Sequence, residues 1–394
     1  MTDTIDIHEI LERYQDSRDA LRPLHDTMEK YYKKWWMEPY VPKDTTYQAY
    51  TSNKMRTDAN KVMSWLASST LNISVAIDNQ TTPKLEKAAT CERYVWGSLY
   101  QQDRRLISRN EPKLMYQLIW YGCVFGWWAC MPLVYKGEDG ETHQDITPIN
   151  PRWLYYERGH SGPLWHASVR YTTQRALQKE YDEYKENVPK PTYGEELAVL
   201  NYWDDDVNAV IMSQNLDAGD SFTGEFIKPP KDHGIGHDPI KFGPVGLTPY
   251  ITMSSSKDTI KDMGDSVFTA NMGIDDNLNK LLSWTMDLIG QNVKQGHILV
   301  NFTPEQADDV GDLNRTGGHT VIDSDQDIRS VDKNRMPADT GPMLGQVGQD
   351  LQHGGLSSIS YGETKGQVSG YLASQLNRST EDTLVTRNSA LEDF

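Results

Sequence analysis

The sequence predicts an α+β fold, and three observations carry that prediction. Long stretches toward both ends of the chain place apolar residues at helical spacing. The middle, from about residue 145 to 213, alternates like short strands and has a hairpin signal around Asp204, Asp205 and Asp206. A turn-rich insert with few apolar residues then separates two helical stretches, one ending near Ile289 and one starting near Pro342.

The stretch that organises the chain is GDSVFTANMGIDDNLNKLLSWTMDLI, Gly264 to Ile289. Val267, Ile274, Leu278, Leu281, Leu282, Leu288 and Ile289 make one apolar stripe, and Asp275, Asp276, Asn279, Lys280 and Asp287 make the polar face. At ~1.5 Å per residue such a stretch is a rod of roughly 37 Å, which needs neighbours along its length. Shape alone favours an ordinary core helix of an α+β domain, and the order of elements around it shifts the weight.

From the N-terminus, Ile5 to Trp36 reads as helices broken near Pro23, with Ile10, Leu11, Tyr14, Leu21, Leu24, Met28, Tyr31, Tyr32 and Trp35 inward. Asn60 to Thr70 is a second helix, and the alternation of Leu71, Ile73, Val75 and Ile77 predicts a strand. Pro83 opens a helix to about Arg104, because proline suits the first turn. Asn110 to Tyr121 is helical, Gly122 to Tyr135 reads as strand, and KGEDG turns the chain back. Asp145 to Ile149 and Trp165 to Tyr171 follow as strands, then a helix from Thr172 to Tyr184 capped by Thr172 or Thr173. Leu197 to Trp203 and Val207 to Ser213 form the hairpin, and Pro229 to Thr248 is a loop. Beyond Ile289, His297 to Asn301, Thr320 to Asp323 and Ile328 to Val331 read as short strands, with a short helix or turn after Pro304. Asp339 or Thr340 can cap a helix from Pro342 to His353; Gly355 to Gln367 is glycine- and serine-rich, and Ser369 begins a helix with Leu372 and Leu376 on one face.

With 394 residues the chain can bury a large core without staples. Its 39 Lys and Arg against 56 Asp and Glu give −17, which argues against a protein that sequesters nucleic acid but suits one past which DNA slides. Cys91, Cys123 and Cys130 are an odd number without metal-ligand spacing, so reduced, buried thiols are expected. The polar start MTDTIDIHEI is no signal peptide, and the longest apolar run, Gly122 to Tyr135, is too short to span a bilayer.

Candidate chemistry is thin. Asp204, Asp205 and Asp206 could attract Mg²⁺ or Ca²⁺, but adjacent carboxylates at a hairpin tip cannot all face one ion, and a solvated turn is the preferred reading. In HGIGHD the Gly-Ile-Gly between His233 and His237 forbids the helix that would put them on one face of a metal. No phosphate loop, dinucleotide fingerprint or nucleophile elbow is present, so no catalytic, cofactor or metal residue is assigned and no enzyme is expected.

The order of elements resembles the portal, or head-to-tail connector, proteins of tailed bacteriophages. The matching pieces are the entry at Pro249, GDS at Gly264 to Ser266, DDNLNKLLSW from Asp275, the small β insert, the returning helix, the glycine-rich loop and the helix start at Ser369-Gly370 with Leu372 and Ala373. Upstream, TPINPRWLYYERG, the helix TTQRALQKEYDEY and the LAVLNYW hairpin are similar to that family's ring body. The resemblance implies a mixed α/β wing over residues 1–262, a first stem helix over 263–293 and a small α/β clip over 294–339. It further implies a second stem helix over 340–353, a tunnel loop over 354–368, and a wing helix over 369–394 leading toward a crown, which is either absent or outside these residues.

It also implies a homo-oligomeric, dodecameric ring at the unique capsid vertex of the virion, assembled in the host cytoplasm and away from membranes. Such a ring forms the channel for dsDNA packaging and ejection and docks the terminase large subunit, then a head-tail adaptor, among major capsid and scaffolding proteins. Val267, Ile274, Leu278, Leu281 and Leu288 would pack the stem; His297, Asn301, Arg315 and Arg329 would serve the clip. Ser357, Ser358, Ser360, Tyr361, Glu363 and Lys365 would line the channel, with Lys365, the tunnel loop's one cation, touching phosphate transiently. The alternatives are a tail or baseplate structural protein and a metal-dependent phage nuclease.

Overall fold

The computed structural model describes residues 5–41, 49–68, 73–76, 81–136, 140, 142–160, 162–188, 196–213, 224–246, 264–293, 297–303, 325–330, 340–353, 378, 384–385 and 387–389. The described elements are helices and antiparallel sheets, an α+β fold. The chain divides into two compact units, one made of residues 1–33, 59–267 and 381–394, the other of 34–58 and 268–380.

The helices of the larger unit begin with α1 (Ile7–Trp35), which runs through Pro23 without a break. A proline inside a helix costs ~3 kcal/mol, but here its ring is exposed and the helix is held on both sides of it by buried Ile10, Tyr14, Met28 and Tyr31. α2 (Lys54–Ser68) and α3 (Thr82–Ser108) follow, the latter with Pro83 in its first turn as expected. Residues 73–76, expected within a strand, pair with no strand among the described residues; Val75 N–H instead donates to Glu92 Oε1 at 2.9 Å. α4 (Leu114–Phe125) extends into the run read as strand and stops at Gly126, whose φ of 70° is left-handed. A continuous apolar run fits buried helix and buried strand alike, and here a glycine divides the two.

Two sheets pack together in this unit. β1 (Trp127–Lys136) lies between β2 (Thr142–Pro148) and β8 (Lys241–Pro244), while β3 (Leu154–Arg158), β4 (Pro163–Thr173), β5 (Glu196–Asp204), β6 (Val207–Ser213) and β7 (Glu225–Asp232) form a meander in sequence order. α5 (Gln174–Glu180) is shorter than expected and continues as a 3₁₀ turn from Asp182 to Asn187; Thr173 is its cap, accepting from Ala176 N–H at 3.3 Å. The second half of β7 and all of β8 lie in the stretch expected to be loop. Pro229 and Pro230 are tolerated because β7 is an edge strand whose register with β6 shifts beside them.

Strand alternation sends Tyr155, Trp165, Ala167, Leu200, Tyr202, Ala209 and Ile211 to one face of the meander, where they meet Ile10 and Tyr14 of α1. On the other face Leu197, Val199, Val210 and Ile227 meet Leu177 and Val188, and Leu154 and Trp203 meet Ala129 and Met131 of the small sheet and Ile240 just before β8. Cys123 and Cys130 are buried here, whereas Cys91, expected buried, is exposed on α3.

In the smaller unit, α6 (Met272–Val293) begins eight residues later than the predicted rod, after turns at 267–271. β9 (His297–Val300) pairs antiparallel with β10 (Asp327–Ser330), and α7 (Thr340–His353) follows with Pro342 in its first turn. The expected strand Thr320 to Asp323 and the turn after Pro304 lie outside the described residues.

Candidate functional site

The motif read as GDS is a crossing of two backbones. A Cβ on Gly264 would lie 1.7 Å from Gly126 O, and one on Gly126 would lie 2.7 Å from Gly264 C, so both positions require glycine. Ser266 Oγ donates to Val124 O at 2.6 Å, Val267 N–H donates to Cys123 O at 2.9 Å, and Val245 N–H donates to Gly126 O at 2.7 Å. These bonds satisfy carbonyls at the end of α4 that the helix itself leaves open. Arg387 donates to Asp265 O at 2.7 Å and so reaches the same crossing. Burial pushes the Cys123 thiol up to about 11, so it is inert packing.

α6 buries part of its expected polar face, while Asp276 and Lys280 of that face stay exposed. Asp275, Asn279 and Ser283, spaced i, i+4, i+8, are at most 2% exposed. Lys34 Nζ donates to Asp275 Oδ2 at 2.8 Å and Asp276 Oδ1 at 2.5 Å; Ser52 N–H donates to Asn279 Oδ1 at 2.8 Å, and Tyr50 N–H to Ser283 Oγ at 2.8 Å. The extended chain before α2 thus finds its hydrogen-bond acceptors on a helix face rather than in a sheet. Burial pulls the Lys34 ammonium down, and the hydrogen bonds and charges of Asp275 and Asp276 outweigh it, so its pKa is raised. The sequence signal that could have found this face is the four-residue spacing of short polar side chains, which fits a buried ladder as well as an outer face.

Of the predicted stem residues, Leu278 is buried, while Ile274, Leu281 and Leu288 are half-buried on α6. Val267 lies in the turn before α6 rather than on it. Trp284, Met286 and Ile289 stand 44–49% exposed, and the Lys280 ammonium sits 4.6 Å from the Trp284 ring centre.

Of the predicted clip residues, Asn301 ends β9 with φ 63°, and its side chain donates to Asp325 O at 2.7 Å, tying that end to the start of β10. His297 is opposite Ser330 and Arg329 opposite Ile298 in the two-stranded ladder. Arg315 and the loop residues Ser357, Ser358, Ser360, Tyr361, Glu363 and Lys365 lie outside the described residues.

The acidic hairpin tip is a hydrogen-bonded turn: Asp204 Oδ1 accepts from Asp206 N–H at 3.0 Å and Val207 N–H at 2.7 Å. His233 uses Nε2 on Asp204 O at 2.9 Å, and among the described residues no group of three His, Cys, Asp or Glu could hold a metal. Sequence reasoning missed the pair His166 and Asp238, with Nδ1 2.7 Å from both carboxylate oxygens and Nε2 without a hydrogen-bond partner among the described residues. Such a pair can act as a base, but both side chains are buried, and Asp238 Oδ1 also accepts from Ile240 N–H at 3.0 Å. Its role in the geometry is to tie the 233–240 loop to β4.

No protein-family profile and no curated protein matches this sequence. Among solved structures, the chain is similar to one described as the neck of an empty GTA particle computed with C6 symmetry, at 11% identity and TM-score 0.45, covering 86% of this chain and 75% of that one. It is similar to one described as the neck of a native GTA particle computed with C12 symmetry, at 10% identity and TM-score 0.38, covering 80% of each. A third, described as the virion of a native gene transfer agent particle, stands at 11% identity and TM-score 0.36 over 80% of this chain and 79% of that one.

Proposed function

We propose that this chain is the subunit of a phage portal: a closed, dodecameric ring in the virion through which dsDNA is packaged and ejected. The observation that carries the reading is the path of the chain between residues 268 and 380, in which α6 with its exposed apolar side chains leads to the two-stranded β9–β10 ladder and then to α7. A helix that leaves Trp284, Met286 and Ile289 in water is poor as a lone element but suits side-by-side copies. In this reading residues 1–262 are the wing, 263–293 and 340–353 the stem, 294–339 the clip, 354–368 the tunnel loop and 369–394 the helix back into the wing. A ring of subunits each carrying −17 presents a mostly repulsive wall to DNA, and one Lys365 per subunit supplies a weak, salt-sensitive contact.

The clip assignment is tested by replacing residues 297–334 with a short glycine linker. The variant keeps its folded body and loses the terminase large subunit in a pull-down; retained binding counts against the assignment. A cross-linker at position 365 captures dsDNA in packaged particles, and failure to do so in intact rings removes the loop from the channel.

A further inference from the structure

α3 has an outer face whose chemistry the ring reading does not itself assign. Its inner face is anchored on the edge strand β2: Gln102 Nε2 donates to Ile146 O at 2.9 Å, Arg105 donates to Gln144 O at 2.6 Å, Ser98 Oγ donates to Gln144 Oε1 at 2.9 Å, and Leu106 packs on Leu114, Leu118 and Ile146. With that side fixed, Leu85, Trp96, Tyr100 and Ile107 fall within about 60° of the helix circumference along roughly 33 Å. They point away from β2 and are 43–65% exposed. Arg93 and Arg104 flank them, the Arg104 guanidinium 5.8 Å from the Tyr100 ring centre.

The charge of this element is opposite to that of the chain. Residues 81–113 contain seven Lys and Arg against four Asp and Glu, a balance of +3, so with a total of −17 the remaining residues carry −20. Tryptophan, tyrosine and arginine together are the side chains that dominate protein interfaces, whereas four interspersed carboxylates spoil a phosphate-binding track. The acidic surface that a basic, aromatic face would meet at highest concentration in an assembly is that of another copy of this chain.

We propose that the α3 outer face docks onto an acidic surface of a second copy, making one half of a heterologous interface. Face-to-face pairing of two α3 helices would set Arg93 and Arg104 against their own kind, so the contact is head-to-tail and propagates to a ring rather than stopping at a dimer. The inference rests on the ring reading and adds to it which surface joins neighbours and by what chemistry.

Two double variants test it in the full chain, Trp96→Ser with Tyr100→Ser and Arg93→Glu with Arg104→Glu. Native mass and negative-stain images are read against protein concentration, with circular dichroism checking the fold. Rings from the unaltered chain, and at least about tenfold more protein needed to form them for each variant with an unchanged monomer fold, are expected. Unaltered rings from both variants overturn the α3 inference and leave the ring reading standing; absence of rings from the parent chain overturns both. A photo-crosslinker at position 100 of assembled parent protein supplies a measurement that does not depend on variant folding. Capture of another copy at a site outside α3 supports the proposal, and capture of α3 itself, of DNA or of nothing overturns it.

Discussion

The five-stranded sheet and α6 handle burial in opposite ways. The sheet buries Ala167, Leu200, Tyr202, Ala209 and Ile211 against α1 and covers its other face with the small sheet and α5. α6 buries a carboxylate, an amide and a hydroxyl and leaves Trp284, Met286 and Ile289 outside. Apolar burial is non-directional and gains ~25 cal/mol per Å², so the sheet region holds by area. A buried polar ladder gains little net but is expensive to leave unpaired, so α6 is held by a specific partner segment. The first kind of region is held by area; the second is held by specific pairing and leaves apolar side chains exposed.

The largest effect expected from breaking this contrast is at the backbone crossing. Gly264→Ala puts a methyl group on Gly126 O and should cost on the order of 4 kcal/mol or more, seen as loss of soluble protein or a large fall in Tm. Gly273→Ala in α6 meets nothing within 4 Å and should stabilise by up to about 1 kcal/mol in the same measurement.

Proton linkage separates the two regions by sign. Burial holds the His25 imidazole down at about 4, against Tyr155 under the sheet. Its unfolded value is near 6.5, so its contribution is complete above that pH and is lost as pH falls toward 4, roughly 3 kcal/mol in all. Lys34 has a raised pKa, so its contribution is complete below its unfolded value of about 10.5 and is lost as pH rises through the folded value. Hydrogen exchange should therefore show α1 and β3 loosening first in acid and the Tyr50–Ser52 segment loosening first in alkali. His25→Gln should flatten the acid limb alone.

Asn279→Leu removes the acceptor of Ser52 N–H and the donor to Asp275 Oδ2, and should cost about 1–3 kcal/mol, with exchange at Ser52 accelerated while the sheet amides stay protected. A modest effect on the monomer, about 1–2 kcal/mol, is expected from Trp284→Ser with Met286→Ser, because each side chain is only partly buried and Trp284 also loses Lys280, while the pair should weaken assembly.

The sequence made the architecture legible where periodicity and turn chemistry agreed. The β5–β6 hairpin at Asp204 to Asp206, the Pro83 start of α3, the Thr173 cap and α7 from Pro342 all lie where expected. It misled where a local rule was outvoted by packing, as at Pro23 in α1, or where an edge position tolerated what a central strand would not, as at Pro229 and Pro230 in β7. The polar face of α6 was misread because the partners of Asp275, Asn279 and Ser283 come from Lys34, Ser52 and Tyr50, more than 200 positions away, and no local pattern announces them. Gly264 was legible in GDS without its reason, and its partner Gly126 was not, since the two meet only in the folded chain.

The central claim is that the exposed apolar side chains of α6 belong between copies of a ring. The most direct measurement is the native mass of the purified full chain together with negative-stain images of the same sample. A closed ring of many copies with an axial opening, dispersed by Trp284→Ser with Met286→Ser, is the predicted result. A monomer, a closed dimer or a fibre, or rings indifferent to that substitution, would contradict it.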